Sequence, residues 1–516
     1  MPVRPVKWAK VIDHTRCIGC HACTTACKSE NAVPLSVTRT YVKHVDVGVF
    51  PQARRAFQVT RCNQCDDAPC VTACPTSAMY QRPDGIVDFD KSICIGCKAC
   101  IAACPYDAIF INPEDHAAEK CNFCAHRLDM GLEPACVVVC PTEAILVGDL
   151  NDPRSRVAQI VNREPVAVRR PEKDTRPKLF YRGAHQATLD PLAARRPEGG
   201  LFMWSEQGRG AGQVVSGARA PWNTTSAAAL LSYDVPHVSP WHWRVSLYTW
   251  TKGIAAGAYL VALLMILGGV LPWSSALWVW VVPALAGAFL AATGALLIAD
   301  LKHPERCYLI FTRPQWGSWL VRGAFIIAGY AAVLALHVLG SLLGWRALQQ
   351  ALAAPGLVLA ALCAIYTAYL FAQARARDLW QNPLLPPHFL LKALLVGAAA
   401  LVPFAGWLDP DLVRPLLRIM TGTGLLHLLF VWAEATLPHG TAHARLAAQE
   451  MTAGRYRVFF WAGVGLTALG LAAAGAAAGS SGSPAAAGAA AAIVVLAGAL
   501  AYEHAYVQAG QAVPLA

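Results

Sequence analysis

Residues 94–105 decide the fold of the first part of the chain, and they read Cys-Ile-Gly-Cys-Lys-Ala-Cys-Ile-Ala-Ala-Cys-Pro. Their cysteines follow the spacing Cys-x2-Cys-x2-Cys-x3-Cys-Pro. Three related runs lie around this one, at 17–27, 62–75 and 121–141. Four groups of four thiolates can hold four cubane iron–sulfur clusters. The sixteen cysteines of the four runs are Cys17, Cys20, Cys23, Cys27, Cys62, Cys65, Cys70, Cys74, Cys94, Cys97, Cys100, Cys104, Cys121, Cys124, Cys136 and Cys140.

The spacing also indicates how the thiolates are shared. In bacterial ferredoxins the fourth cysteine of such a run serves the other cluster of a pair. The reason is geometric, because a tight loop can place three thiolates around one corner of a cubane while the last thiolate points away. Zinc is the alternative, since Cys-x2-Cys pairs can hold one tetrahedral ion. Four-cysteine runs followed by proline do not suit zinc, and we predict iron–sulfur clusters.

The composition indicates that another part of the chain lies in lipid. Of the 516 residues, 55% are hydrophobic and 15% are charged, whereas a soluble domain has about 25% charged residues. Of the 18 cysteines, two lie outside the four runs, Cys307 and Cys363. This asymmetry excludes a simple soluble enzyme, a plain multi-spanning transporter and a short secreted disulfide scaffold. The net charge of +11 comes without a basic stripe interleaved with aromatic residues, so we expect no nucleic-acid partner.

We divide the chain into a cysteine-rich domain at 1–150, an irregular extension and linker at 151–240, and a membrane domain at 241–516. Short β-branched runs at 85–88 and 144–147 predict small strands in the first part. Apolar residues in the second part, at 179–181 and 201–204, are expected to pack on the first domain. The whole is therefore an α+β domain followed by an all-α membrane domain.

The membrane domain contains eight apolar stretches of roughly the 20 residues that one spanning helix needs. The last two are rich in alanine and glycine, which suits close helix packing. The alternative is that one of these two is a loop or a re-entrant segment. The eight stretches lie near 247–271, 276–299, 318–344, 351–374, 388–408, 416–437, 457–479 and 484–508.

Eight helices place both ends of the membrane domain on one side of the bilayer. The loops on that side carry most of the basic residues, and the positive-inside rule then places the cysteine domain in the cytoplasm, at the inner membrane. The N-terminal residues have neither a signal-peptide core nor a twin-arginine pair, which agrees. Docking on the cysteine domain is a second explanation for the basic loops. Their basic residues are Lys302, Arg306, Arg313, Arg375, Arg377, Arg445 and Arg455, against Arg346 and Arg414 opposite.

Residues 1–150, on the four cysteine runs, resemble the four-cluster electron-transfer subunit of the molybdopterin oxidoreductases of the dimethyl-sulfoxide-reductase superfamily. The resemblance implies two ferredoxin-like folds with two clusters each, and a separate molybdopterin catalytic subunit as partner. Some members have tryptophan at the position of Cys97 and a three-iron cluster, so Cys97 implies four [4Fe–4S] clusters here. The first run ends in Lys28 where the others have proline, which should change the local turn alone.

The resemblance also implies four sets of ligands. In each set, three cysteines come from one run and the fourth comes from another. The implied sets are Cys17, Cys20 and Cys23 with Cys140; Cys121, Cys124 and Cys136 with Cys27; Cys62, Cys65 and Cys70 with Cys104; and Cys94, Cys97 and Cys100 with Cys74.

The membrane domain resembles the polysulfide-reductase-type, NrfD-like membrane anchor. Three stretches carry this resemblance: 251–257, then 300–306 with 316–319, then 366–368 with 379–387. Position 368 is alanine where the family often has glycine. The resemblance implies an eight-helix anchor that binds a quinone, menaquinone or ubiquinone, without haem.

Five residues of the membrane domain are candidates for the quinone site. Lys252 is an ionisable group in a membrane helix and therefore a functional hypothesis by default; the alternative is snorkelling to the interface. Tyr248 is close to it in sequence, and Tyr366 matches the tyrosine that the family places at the quinone head group. Asp300 and His303 begin a polar loop and are candidates to pass protons, with a capped helix end as the alternative.

The favoured function is that of an electron-transfer and membrane-anchor subunit of a quinone-linked oxidoreductase, with no catalytic residues of its own for the partner's substrate. One alternative is a haem b cytochrome with His337 and His427, the two histidines that the pattern places deep in helices. Another is an ion-translocating subunit that uses Glu434, which shares a helix face with His427. The alternative for Glu434 and His427 is that they are merely paired residues of the helical core.

Overall fold

The computed structural model describes residues 5–195 and 228–516. Its first part is built from short strands and helices around the cysteine runs, and its second part is helical. The strands are β1 (Trp8–Asp13), β2 (Thr40–Val47), β3 (Arg54–Arg61), β4 (Met79–Gln81), β5 (Val87–Phe89), β6 (Ile109–Ile111), β7 (Ala118–Lys120), β8 (Ile145–Asp149), β9 (Val166–Ala167), β10 (Leu179–Arg182) and β11 (Ala229–Tyr233).

The helices of the first part are short. They are α1 (Ala22–Glu30), α2 (Pro69–Ala73), α3 (Ala99–Ala103), α4 (Ala125–Leu128), α5 (Ala135–Val138), α6 (Arg156–Arg163) and α7 (Gln186–Leu189). The second part contains α8 (Trp243–Leu267), α9 (Val282–Asp300), α10 (Leu309–Thr312), α11 (Trp319–Leu342), α12 (Arg346–Gln373), α13 (Leu385–Leu408), α14 (Val413–Thr436), α15 (Ala442–Thr452), α16 (Arg457–Gly479) and α17 (Ala485–Gln511).

Two sheets join the cysteine runs to the following segment. In the first, β1 pairs antiparallel with β8 and parallel with β10, and β9 lies beyond β10. In the second, β11 pairs with β2, which pairs with β3. The strands predicted at 85–88 and 144–147 correspond to β5 and β8. Residues 179–181 lie in β10 and pack on the first domain, whereas residues 201–204 lie outside the described residues.

The eight predicted spans are confirmed, because eight helices of the second part are long and apolar enough to cross a membrane. The helix α9 is extended at its start by a π-turn at Leu277–Val281. The last two spans, for which a loop or a re-entrant segment was the alternative, form the helices α16 and α17. Their small residues explain why these two helices pack closely. A Cβ on Gly463 of α16 would lie 2.6 Å from the backbone nitrogen of Tyr502 in α17.

The cysteine domain docks on the loops at one end of the helical bundle. Gly96 has a φ of +66°, and a Cβ there would lie 2.4 Å from Cβ of Lys302. Arg306 donates to the carbonyls of Lys91 and Cys94 at 3.0 and 3.1 Å. Docking therefore accounts for part of the basic character of these loops.

Candidate functional site

The local backbone of the cysteine runs explains their spacing. In the third run, Gly96 and Lys98 both have left-handed φ angles, +66° and +64°. The chain therefore turns twice between Cys94 and the start of α3 at Ala99. The first run repeats this geometry at Gly19 and His21. Such loops direct several thiols inward, and the short helix then carries the last cysteine away.

The fourth cysteine of each run lies beside thiols of a different run. Burial raises the pKa of Cys27 to about 12, and neighbouring Cys121, Cys136 and Cys124 contribute. In the other three sets, burial is the main cause that raises the pKa of Cys17, Cys65 and Cys97, and neighbouring thiols raise it further. The neighbours across runs are Cys140 for Cys17, Cys104 for Cys65, and Cys74 for Cys97. The structure therefore brings together cysteines that are far apart in sequence.

One cavity tests whether a cluster fits these residues. Its lining includes Cys74, Cys94, Cys97 and Cys100, together with apolar side chains such as Phe89. Within the described ranges, no three His, Cys, Asp or Glu side chains converge closely enough for a single metal ion. Four thiols spread around one cavity have the chemistry and arrangement that suit an iron–sulfur cluster.

The surroundings of the thiols differ between sets. Arg61 donates to Sγ of Cys136 at 3.0 Å, and Lys10 donates to the same atom at 3.6 Å. Burial alone would raise the pKa of Cys136, but Arg61 and Lys10 outweigh burial and lower it to about 7. At Cys74 and Cys94 the donors are backbone N–H groups. Such hydrogen bonds and charges tune cluster potentials. Lys10 and Arg61 were missed from the sequence because they lie outside the runs.

Two of the thiol sets differ in what surrounds them. Around the first run, Cys20 and Ile18 are exposed, as are Val138 and Val139 beside Cys140. The set that contains Cys97 lies against the membrane domain, where the indole N–H of Trp241 donates to the Cys97 carbonyl at 3.3 Å. One set therefore faces outward and the other faces the helical bundle.

Lys252 is fully buried in α8, the helix that begins two residues after Trp241. Its ammonium donates to Oγ1 of Thr367 at 2.5 Å and to the carbonyl of Ala364 at 3.1 Å. The nitrogen also lies 4.4 Å from the ring centroid of Tyr366 and 5.3 Å from that of Phe389. The snorkelling interpretation is wrong, because no part of this side chain reaches the surface.

The five residues predicted for the quinone site fall into two places. Tyr248 and Tyr366 are buried near Thr367 and therefore near Lys252. Asp300 instead bonds Lys98 of the cysteine domain at 2.9 Å. His303 bonds the carbonyl of Asp115 at 2.8 Å. The structure thus brings Tyr248, Lys252 and Tyr366 together and uses Asp300 and His303 at the docking interface.

The buried histidines are arranged differently from the expectation. His427 bonds His388 of α13 at 2.8 Å, and His388 is a buried helical histidine that the sequence analysis missed. His337 packs instead on Trp278, with ring centroids 4.6 Å apart. His504 also lies within a helix, α17. Histidines other than His337 and His427 therefore also lie in helices. In the structure His337 packs on Trp278 and His427 bonds His388.

Glu434 is buried near the end of α14. Oη of Tyr502 donates to its Oε2 at 3.1 Å, and Asn382 donates to its Oε1 at 3.5 Å. Next to Tyr502 in sequence, Glu503 forms a buried ion pair with Lys392 of α13. These residues form a second polar cluster beside Lys252.

Comparisons with known families agree with both halves of this architecture. Residues 53–150 match the 4Fe-4S dicluster domain family. Residues 234–515 match the family described as Polysulphide reductase, NrfD. Both matches confirm the resemblances that the cysteine runs and the membrane motifs indicated.

Individual relatives each match about a third or slightly more of the chain. A subunit of the tetrathionate reductase of Salmonella typhimurium is 43% identical over 208 residues, which cover 39% of this chain and 80% of the relative. A component of the polysulfide reductase of Wolinella succinogenes is 44% identical over 177 residues, 34% of this chain and 93% of the relative. The arsenate respiratory reductase iron-sulfur subunit of a Shewanella species is 36% identical over 219 residues, 33% of this chain and 94% of the relative.

Proposed function

Because this protein belongs to the NrfD family of polysulphide reductase components and carries a 4Fe-4S dicluster domain ahead of that part, we propose that it transfers electrons between a catalytic partner and quinone. It is a multi-pass membrane protein with iron–sulfur clusters. The observation that carries the proposal is the contact of the Cys97 set with Trp241, just before α8, the helix that contains Lys252. This arrangement puts a one-electron carrier at the end of the helix that holds the candidate quinone residues Tyr248 and Lys252.

The cysteine domain holds four [4Fe–4S] clusters in this proposal. The support is that each fourth cysteine lies beside the thiols with which the resemblance pairs it, for example Cys17 with Cys140. When bound, the clusters supply reversible one-electron transfer. The chain itself contributes thiolate ligands, excludes water from the buried sets, and positions Arg61 and Lys10 at Cys136.

The quinone head group binds between Tyr248, Lys252 and Tyr366. A buried ammonium among aromatic rings is a suitable donor to a quinone carbonyl, and it stabilises negative charge that develops there on reduction. Asp300 and His303 hold the cysteine domain against this region. Asp300 is the last residue of α9, and its ion pair with Lys98 connects this helix to the third run.

The catalytic partner is a molybdopterin subunit that docks on the exposed first run. Ile18, Val138 and Val139 are exposed apolar residues around Cys20 and Cys140. We expect the partner to cover these apolar side chains, since a contact surface next to Cys20 and Cys140 would bring it close to a cluster. The relatives named above are components of tetrathionate, polysulfide and arsenate reductases, which favours a partner of that class. The basic loops favour the cytoplasmic side of the inner membrane for the cysteine domain.

Anaerobic purification of the full chain in detergent tests the proposal. We expect about sixteen iron atoms per chain with matching sulfide, a co-purifying large subunit with molybdenum or tungsten, and reoxidation of the reduced protein by a short-chain quinone. Stopped-flow absorbance follows the reoxidation. A reduced protein that keeps its electrons in the presence of quinone would overturn the assignment.

A cysteine pair provides the matched control for the clusters. Cys97→Ser should remove or alter one paramagnetic signal and slow reoxidation by quinone, because Cys97 belongs to the set at the membrane domain. Cys307→Ser changes a cysteine outside the runs and should leave iron content and all signals unchanged. Equal effects of the two substitutions would contradict the ligand assignment.

A further inference from the structure

The polar cluster beside the lysine pocket lies where α13, α14 and α17 meet. Its members are Asn382, Glu434, Tyr502, Glu503 and Lys392. The last four are buried, with exposures of 7%, 1%, 3% and 7% for Glu434, Tyr502, Glu503 and Lys392. Buried ionisable groups in membrane helices are costly, so their presence points to a function.

The outer end of this cluster faces the cysteine domain. Glu434 lies in the last turn of α14, and Asn382, which bonds it, is partly exposed in the loop before α13. Four residues earlier in that loop, Asp378 bonds Lys173 from the segment that follows the cysteine runs. Glu434 is therefore close to water on the side where the cysteine domain sits.

The inner end reaches the lysine pocket. The ammonium of Lys392 lies 3.9 Å from the ring centroid of Phe389, and the ammonium of Lys252 lies 5.3 Å from the same centroid. Lys392 also bonds Oε2 of Glu503. In the part of the chain that the structure describes, Oε1 of Glu503 is buried without a hydrogen-bond partner. That oxygen can therefore accept a hydrogen bond or a proton.

Tyr502 lies beside both Glu434 and the Glu503–Lys392 pair. Its hydroxyl donates to Glu434, and the Lys392 ammonium, which bonds Glu503, lies 5.8 Å from the centroid of the Tyr502 ring. A phenol hydroxyl can accept one proton while it donates another. His388 and His427 pack on the Tyr502 ring, with centroids 5.9 and 5.2 Å away, and enclose it.

We propose that Glu434, Tyr502 and the Glu503–Lys392 pair carry protons between the cysteine-domain side of the membrane and the quinone pocket at Lys252. This inference rests on the proposed function. Reduction of a quinone to a quinol takes up two electrons and two protons. The electrons come through the cysteine domain, and each proton passes from water to Glu434, through the Tyr502 hydroxyl, to Glu503 and on to the quinone oxygen. Quinol oxidation runs the same steps in reverse.

Two substitutions test the route in the full chain in detergent. In Glu434→Gln and Tyr502→Phe, reoxidation of the reduced protein by a short-chain quinone should slow about tenfold, the equivalent of about 1.4 kcal/mol of barrier. The ratio of rates in H2O and D2O should rise, because proton transfer becomes limiting. Quinone affinity and iron content should stay unchanged, which a merely structural role would not predict.

Glu450→Gln is the matched control. Glu450 is also a buried glutamate on the same side, in α15, where its Oε2 accepts from the backbone N–H of Arg455 at 3.2 Å. Glutamine can accept that bond, so the rate and isotope ratio should match the unaltered chain. Should Glu434→Gln fail to fold, Tyr502→Phe decides, because it keeps the buried ring and removes the hydroxyl alone.

The possible results separate the two proposals. Unaltered rates and isotope ratios in both relay variants, with an active parent chain, overturn the proton route and leave the quinone function standing. A parent chain that does not react with quinone at all overturns both.

Discussion

Two buried lysines, Lys252 in α8 and Lys392 in α13, lie near the ring of Phe389. The groups that stabilise their positive charges differ. Lys392 forms an ion pair with Glu503. Lys252 is bonded to a hydroxyl and a carbonyl, and it lies over Tyr366. Within residues 5–195 and 228–516, no carboxylate comes within 4.0 Å of the Lys252 ammonium.

This difference separates a cation that is already paired from a cation that is open to a ligand. A buried charge that is paired is part of the fold, and removing one partner leaves the other uncompensated. A buried charge held by neutral dipoles and aromatic faces keeps attraction for a further negative group. Lys252 is therefore suited to a ligand that gains negative charge, whereas Lys392 is already compensated by Glu503.

The largest expected effect is the loss of stability when the paired cation, Lys392, is removed. Lys392→Met should lower stability by about 3–5 kcal/mol, because it leaves the Glu503 carboxylate buried and unpaired. Thermal unfolding of the full chain in detergent measures this loss. The double variant Lys392→Met with Glu503→Gln should recover most of it. A single variant as stable as the parent chain would contradict the difference drawn between the two lysines.

A third buried cation, His237, extends the comparison outside the membrane. Burial alone would lower its pKa, but Asp234 and Asp107 outweigh burial and raise it to about 9; the Asp107 carboxylate lies 2.5 Å from Nδ1. Since the folded pKa exceeds the ordinary value of 6.5, the stabilisation is complete below about pH 6.5 and is lost as the pH rises through 9. The shift corresponds to on the order of 3 kcal/mol.

Unfolding midpoints between pH 6 and pH 10 measure this contribution. His237→Gln should remove the part of the pH dependence that belongs to His237, so the midpoints of the variant should fall less between pH 7 and pH 10. Parallel curves for the variant and the parent chain would show that His237 does not behave as a paired cation.

These cations also mark the limit of what the sequence could predict. The cysteine runs are predictable because ligand spacing is fixed by the size of a cluster, and the spans are predictable because bilayer thickness fixes their length. Lys252 stood out because one lysine in an apolar stretch is conspicuous. Lys392 is likewise the one lysine of the stretch at 388–408, but its pairing with Glu503 leaves no signal in the local sequence. The pairs Lys392–Glu503 and His237–Asp107 join residues 111 and 130 positions apart. No local pattern reports such partners, since helix packing and domain docking create them.

Removing the unpaired cation should affect function rather than stability. Lys252→Met should slow reoxidation by quinone about 100-fold, the equivalent of about 2.7 kcal/mol, with all cluster signals and the unfolding midpoint retained. Lys302→Met, an exposed lysine at the docking loop, is the control and should react at the parental rate. Normal quinone reactivity in the Lys252 variant would remove Lys252 from the pocket.

The smallest expected effect separates the ring of Tyr366 from its hydroxyl. The ring lies 4.4 Å from the Lys252 ammonium, and a desolvated cation–π contact contributes about 2 kcal/mol. Tyr366→Leu should therefore slow reoxidation by quinone about tenfold, the equivalent of about 1.4 kcal/mol, since part of the contact is replaced by other packing. Tyr366→Phe keeps the ring and should retain most of the rate if the ring positions the ammonium. Equal losses in the two variants would instead assign the role to the hydroxyl, and Lys252 would then depend on Thr367 and the Ala364 carbonyl for its position.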